Sequence, residues 1–423
     1  MAEIRPFQGL RFTPSAGPLD HLVAPPYDVL SEDDRDGYGA RSPHNVVHLT
    51  LPEQRPDDRS KYIKYARSAA ALAEWRREGL LAPDPPSLYR YTQTFEVEHL
   101  GGPFTRTSLI ALIKAEPYEK GVVLPHEQTF PKHKEDRLRL LEATRAHLEC
   151  IFGLYEDAAG TVLGAIAKAP AAGRVEVGTA DDVNQRLEVI QDQAACRALC
   201  SMFEGKKIWI ADGHHRYETA LAFRAAMGLH AAPIAEDYLI MALSSMSDPG
   251  LVLLATHRIL KPLSFDPAEA LERLGSHFSL EPLHNSRLWP ALQAASAEGE
   301  RVLGLAMPGG RGYLLRAIDR DEVLSLIPAG GSSRLRELDV TVLHGVVLES
   351  LLRVSVDDIS YTRDPDDAIA AVDQGAPAAF LMNPPTVDDM RHIALGGERM
   401  PQKSTYYFPK VLSGLVMWSL ADF

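Results

Sequence analysis

At 423 residues, 45% hydrophobic and 24% charged, the chain is long enough for more than one packed unit, and intrinsic disorder is excluded as its main state. Its 44 Lys and Arg against 57 Asp and Glu leave a net charge of −13, which disfavours nucleic acid as a partner. Every apolar stretch is broken by charge or Pro well short of the roughly 20 residues a membrane helix needs, so no membrane partner is expected.

Met1 to Leu10 carries Glu3, Arg5 and Pro6 where a secretory signal needs an apolar run, and the three cysteines cannot form a disulfide framework. Both observations predict a cytoplasmic protein. The first segment with chemistry is Val23 to Val29, in which Pro25-Pro26 makes a stiff turn presenting Tyr27 and Asp28, candidates for binding substrate. A helix is expected over Asp57 to Trp75 and a hairpin over Leu88 to Val97 and Phe104 to Ala115, around Gly101-Gly102-Pro103.

Between Leu124 and Arg137 lies a Pro-bounded loop too polar to be core. It offers His126 and Glu127 as catalytic candidates, Glu127 as general base or Mg²⁺ ligand, and Lys132, Lys134 and Arg137 as phosphate partners. The alternative is a solvated loop leading into an amphipathic helix over Glu135 to Leu148. A short buried strand follows at Cys150 to Leu154, then a long helix over Asp181 to Phe203. Cys196 and Cys200, one helical turn apart, read as packing rather than as metal ligands.

The sharpest feature runs from Ile208 to Glu218. An apolar strand delivers the chain into Asp212-Gly213, and a helix is expected to start at once near His214 and reach Met227. Backbone N–H groups at the positive helix end then sit beside His214, His215 and Arg216, an arrangement suited to phosphate. Asp212 would cap the helix or hold a divalent cation against a phosphate. Adjacent histidines point about 100° apart on a helix, so both on one metal is awkward, and no His-x-x-His zinc spacing occurs.

The second half is expected to place a helix at Pro267 to Phe278, strands at Arg301 to Met307 and Gly312 to Ala317, and an apolar helix at Leu338 to Leu352. A helix, strand and helix follow at Asp364 to Asp373, Ala378 to Met382 and Val387 to Leu395. Thr256-His257-Arg258 puts a basic pair at a strand end. Near the end, Met400 to Lys410 supplies Lys403, Ser404, Thr405 and Lys410 as anion ligands, without the glycine frame of a P-loop, before a predicted final strand at Val411 to Trp418. The seam between the halves is expected near Leu260 to Phe265, giving an N-terminal portion of residues 1–260 and a C-terminal portion of 261–423 whose segment 400–418 returns to the site.

Taken together and in this order, Ala24 to Asp28, His126 to Thr129 with Asp136-Arg137, Ala211 to Tyr217, and Met400 to Thr405 with Phe408-Pro409-Lys410 resemble the family called domain of unknown function 1015. The Asp212 to Arg216 block also resembles the phosphate-binding turn of ParB/sulfiredoxin-like proteins, above all their free-serine kinases. These resemblances imply an α+β, mixed α/β fold: a ParB/sulfiredoxin-like core with insertions and a second α/β portion. They imply a nucleotide-dependent kinase of a small-metabolite hydroxyl, free L-serine first, using Mg²⁺ with ATP or ADP. In that scheme Gly213, His214, His215 and Arg216 neutralise the transferring group, Asp212 holds Mg²⁺, and Lys403 and Lys410 grip phosphate or a carboxylate. Glu127 as proton acceptor is a choice made on chemistry, not one carried over from those kinases. Two rivals remain at this stage, a nucleotide-binding regulator and a metal-dependent phosphoester hydrolase with His126, Asp212 and His214 as ligands.

Overall fold

The computed structural model describes residues 2–98, 100–129, 131–179, 181–228, 230–262, 266–328 and 330–423, apart from the side chains of residues 131–133. The fold is mixed α/β. It divides into two units: Met1–Pro125, Thr129–Val252 and Pro409–Phe423 form the first, and His126–Gln128 with Leu253–Phe408 the second. Of the expected seam, residues 263–265 lie outside the described residues.

The first unit is built on a nine-stranded mixed sheet. In chain order its strands are β1 (Ile4–Arg5), β2 (Leu88–Val97), β3 (Gly101–Lys114), β4 (Val123–Leu124), β5 (Ile151–Tyr155), β6 (Gly173–Gly178), β7 (Asn184–Ile190), β8 (Ile208–Asp212) and β9 (Tyr238–Ser245). Their order is β4-β8-β5-β9-β3-β2-β7-β6, with β1 paired to β3. The central strands are mostly apolar and buried, all eight residues of β9 among them, as expected for strands covered on both faces. Helices α1 (Ile63–Arg77), α2 (Pro131–Thr144), α3 (Gln193–Ser201) and α4 (His214–Ala226) belong to this unit.

The expected hairpin is β2 and β3, paired from Tyr89 with Ile110 to Phe95 with Phe104. The expected long helix over Asp181 to Phe203 is corrected: its first half is β7, and only Gln193–Ser201 is helical. Gln185, Leu187 and Val189 alternate into the core, and Glu188 meets Arg90 across the strand pair at 2.8 Å, so the period is two and not 3.6. Asp192 starts the helix by accepting from the Ala195 N–H at 2.7 Å. The expected strand over Val411 to Trp418 is also corrected. Gly414 takes φ 91°, which interrupts extension, and the chain makes only single bridges, Ser413 to Ala24 and Met417 to Leu10, before a two-residue strand at Trp418–Ser419.

The second unit is a six-stranded antiparallel sheet with β10 (His257–Leu260), β11 (Phe278–His284), β12 (Val302–Met307), β13 (Arg311–Ala317), β14 (Ile359–Thr362) and β15 (Ala379–Leu381), in the order β11-β13-β12-β15-β10-β14. Helices α5 (Pro267–Gly275), α6 (Asn285–Ala297), α7 (Pro365–Asp373) and α8 (Val387–Leu395) accompany it. The apolar helix expected over Leu338 to Leu352 becomes a short turn at Asp339–Thr341 followed by a π-helix at Val342–Leu352. No helix among the described residues is long and apolar enough to cross a membrane.

Candidate functional site

In the first unit the site grows from the end of β8. Trp209 and Ile210 pair with Leu154 and Gly153, then the register shifts so that Asp212 lies opposite Phe152. This irregularity re-aims the strand's last side chain, a common device beside functional sites. Gly213 follows at φ 94° and caps α4 without a side chain. A Cβ at Gly213 would stand 3.0 Å from the Arg216 guanidinium, so the left-handed φ and the tight space both favour glycine.

Asp212 is gripped from two sides. Lys410 Nζ donates to Oδ1 at 2.9 Å, and Arg216 Nη2, one helical turn on, donates to Oδ2 at 3.0 Å. Burial opposes ionisation of Asp212, but Lys410 and Arg216 overcome it and hold the carboxyl well below the usual carboxylate range. Lys410 is itself delivered by backbone bonds: Gln93 Nε2 donates to the Lys410 carbonyl at 2.9 Å, and Arg106 Nη2 donates to the carbonyl of Pro409 and to Gln93 Oε1. Arg106 is fully buried over the Phe152 ring, and burial pulls its guanidinium down to about 10.

The other first-unit candidates lie around a buried acid that the sequence reading passed over. Glu149 Oε1 accepts from the Tyr27 N–H at 3.0 Å and from Ser413 Oγ at 3.1 Å, and Oε2 lies 3.9 Å from Arg137 Nη1. The Arg137 guanidinium sits 4.0 Å over the Tyr27 ring, donates to Asp136, and reaches the Thr50 carbonyl at 2.7 Å. Arg216 Nη1 donates to the carbonyl of Cys150, the residue next to Glu149, at 2.7 Å. Asp28 is exposed on the same short turn as Tyr27. His214 is buried and His215 half-buried on α4. Lys134 pairs with Glu218 at 3.1 Å, and the Lys132 side chain lies outside the described residues.

His126, Glu127, Lys403, Ser404 and Thr405 come together in the second unit. His126 is fully buried, with Nε2 2.9 Å from Thr405 Oγ1, and Ser404 donates to the Pro401 carbonyl. Glu127 Oε1 accepts from the Lys403 N–H at 2.9 Å, and the Lys403 carbonyl accepts from Arg258 Nη2 at 3.1 Å. Lys403 is thereby fixed at φ 54°, in the left-handed region that non-glycine residues seldom adopt. Arg258, on β10, is fully buried, and its Nε donates to His344 Nε2 on the π-helix at 3.0 Å.

Sequence reasoning therefore reached the ligand-like residues and missed those that hold them. Glu149 had one legible signal, an acid set between Leu148 and the apolar run Cys150-Ile151-Phe152. Arg106 had none beyond a charge inside a strand pattern. The three cysteines are free, and among the described residues no group of three or more His, Cys, Asp or Glu is placed to hold a metal ion.

The family described as protein of unknown function (DUF1015) matches residues 4–341. The chain belongs to that family. No curated protein matches the sequence significantly. Among solved structures, a mutant free serine kinase in complex with ADP is similar at 14% identity and a TM-score of 0.40, over 74% of this chain and 94% of that one. A conserved hypothetical protein from Pyrococcus furiosus is similar at 15% identity and a TM-score of 0.38, over 74% of this chain and 97% of that one. SbnI with C-terminal truncation from Staphylococcus aureus is similar at 11% identity and a TM-score of 0.36, over 74% and 88%.

Proposed function

We propose that this DUF1015 chain is a nucleotide-dependent phosphotransferase acting on a small-metabolite hydroxyl, with free L-serine the first acceptor to test. The observation that carries the reading is Asp212 at a strand end, held by Lys410 and Arg216 where α4 begins. Phosphoryl transfer needs positioning and charge neutralisation more than covalent catalysis, and two cations, a helix N-terminus and one carboxylate supply these. Choice of acceptor rests on the resemblance of the Asp212 to Arg216 block.

The donor set suits a Mg²⁺-nucleotide: magnesium is commonly held by one or two carboxylates together with substrate phosphates, and Asp212 has Lys410 and Arg216 beside it for those phosphates. Mg²⁺ would neutralise charge on the transferring group. Arg216, Lys410 and the first N–H groups of α4 would orient the phosphates, while the Tyr27–Asp28 turn would meet the acceptor. His214 and His215 keep their assigned places at the helix start. In the second unit by itself, Lys403 presents an exposed side chain for an anion, and Glu127 remains the proton acceptor chosen on chemistry alone.

The test is transfer of labelled γ-phosphate from ATP, or β-phosphate from ADP, with Mg²⁺, into a pool of hydroxyl metabolites that includes L-serine. A labelled product lost in Asp212→Asn and Arg216→Met supports the reading. Nucleotide binding without transfer would replace it with a regulatory protein, and neither would remove it. Full turnover in Glu127→Gln would remove that residue's role alone.

A further inference from the structure

We propose that Glu149 is a positioning residue of the first unit's site: it fixes the Tyr27–Asp28 turn and supplies the counter-charge shared by Arg137 and Arg216. The inference rests on the preceding reading only for what the site binds; the positioning itself is a matter of the fold.

Three segments reach this one carboxylate, and a fourth lies beside it. Tyr27 offers a backbone N–H and Ser413 a hydroxyl to Oε1, Arg137 approaches Oε2 from α2, and Arg216 lies beside it with Nη1 on the neighbouring Cys150 carbonyl. Only 5% of the Glu149 side chain is exposed. A carboxylate in such a place is costly to desolvate, and where packing is all that is required an apolar side chain of the same volume does equally well or better. Its presence is explained by what it orients. Tyr27 precedes Asp28 on a turn of three residues, so the bond to the Tyr27 N–H sets the direction in which Asp28 is presented.

The charges around Glu149 support the second part of the role. Arg137 shares Asp136, and Arg216 shares Asp212, yet both guanidiniums also feel Glu149, while Asp28 repels it. Burial pushes the Glu149 carboxyl above its ordinary range, and the two arginines draw it back. A small cavity of about 50 Å³ lies between Arg137, Glu149, Arg216 and Thr219, so the guanidiniums have room to adjust when an anion arrives. The carboxylate therefore competes with an incoming anion for the same cations, which keeps the site from trapping phosphate.

Two substitutions separate the functions. Glu149→Leu removes both hydrogen bonds and the charge, whereas Glu149→Gln keeps an acceptor oxygen and removes only the charge. Hydrogen–deuterium exchange of a peptide spanning residues 22–35 reads the turn, and calorimetry with ADP and with inorganic phosphate reads the site. In Glu149→Leu the turn should exchange about tenfold faster, the equivalent of one charge-assisted hydrogen bond, with β10 to β15 unchanged. In Glu149→Gln the turn should stay protected while ADP and phosphate bind about three- to tenfold tighter, because a negative charge next to two arginines is gone. Should Glu149→Leu fail to fold, Ser413→Ala tests the same carboxylate with a smaller acceleration in the turn.

Wild-type exchange rates in both Glu149→Leu and Ser413→Ala would overturn the positioning role. Unchanged affinities in Glu149→Gln would overturn the counter-charge. If the wild-type protein binds neither ADP nor phosphate, the phosphotransferase reading fails and the counter-charge role with it, while the exchange data still decide whether Glu149 holds the turn.

Discussion

Each unit of the molecule fixes one lysine of the segment Lys403 to Lys410, and the two do so differently. In the first unit the carboxylate of Asp212 takes the ammonium of Lys410 directly, so the lysine's charge helps to keep Asp212 ionised. In the second, the carboxylate of Glu127 takes the backbone N–H of Lys403, and among the described residues no hydrogen bond or ion pair engages the Lys403 ammonium. Both lysines depend on a fully buried strand arginine, Arg106 through the carbonyl of Pro409 and Arg258 through the carbonyl of Lys403 itself. Burial pulls both guanidiniums down to about 10. The contrast separates a lysine that builds its site from a lysine that the fold holds out toward solvent.

The sharpest way to break that contrast is to remove each ammonium in turn. Lys410→Met leaves Asp212, whose side chain is 17% exposed, without one of its two cationic hydrogen-bond donors, and should cost about 2–3 kcal/mol in urea unfolding as a buried pair is opened. It should also abolish measurable phosphoryl transfer. Lys403→Met loses no ion pair and should stay within about 0.5 kcal/mol of wild type, while anion affinity falls about tenfold. Equal destabilisation by the two substitutions would end the distinction between them.

The sequence made the fold legible wherever one period dominated. The hairpin of β2 and β3, the strand β8 and the start of α4 at His214 follow from alternation, apolar runs and an Asp-Gly turn. Asp181 to Phe203 was misleading because Asn184–Ile190 carries charges at Arg186 and Glu188 on the strand's second face, which mimics an amphipathic helix until its partners are known. Of the site, the ligand-like residues were visible because Asp, His, Lys and Arg in apolar or Pro-bounded settings are costly without a role. The roles of Glu149, Arg106 and Arg258 were not visible, even where Arg258 stood out as half of a basic pair, because each acts on backbone carbonyls or N–H groups supplied by segments more than a hundred residues away, and local spacing cannot encode such a partner.

Acid should sharpen the contrast by attacking only one of the clamps. Arg106 donates to the amide oxygen of Gln93, which does not titrate, whereas Arg258 donates to the imidazole of His344, which accepts only when neutral. Burial, then Arg258, pull His344 and His257 from 6.5 down to about 3. Because the folded values are depressed, the stability tied to both histidines is complete above 6.5 and is lost as pH falls from there toward 3. Asp339 works the other way. Burial raises it from 3.8 to about 6, so its native state gains protons, and stability, as pH falls through 6. Two histidines outweigh one aspartate, and the second unit should lose about 2–3 kcal/mol between about pH 7 and about pH 5. Hydrogen exchange in β10 and the π-helix reads this, and a flat profile there would detach His344 from the Arg258 clamp.

The smallest expected effect tests why Lys403 is held as it is. At φ 54° its Cβ crowds the following carbonyl, a strain of about 1–2 kcal/mol for an L-residue, which the Glu127 and Arg258 bonds to its own N–H and carbonyl overcome. Lys403→Gly relieves the strain and leaves both backbone bonds in place, but glycine loses about 0.5–1 kcal/mol more conformational entropy on folding. The balance is a gain of about 0.5–1 kcal/mol, read as a shift of the urea midpoint to higher concentration. A segment selected for stability alone would therefore carry glycine here. If Lys403→Gly is more stable and binds anions more weakly, the strain is the cost of aiming an ammonium. If it is more stable and binds equally well, the left-handed lysine serves no ligand, and the difference between the two lysines reduces to one of packing.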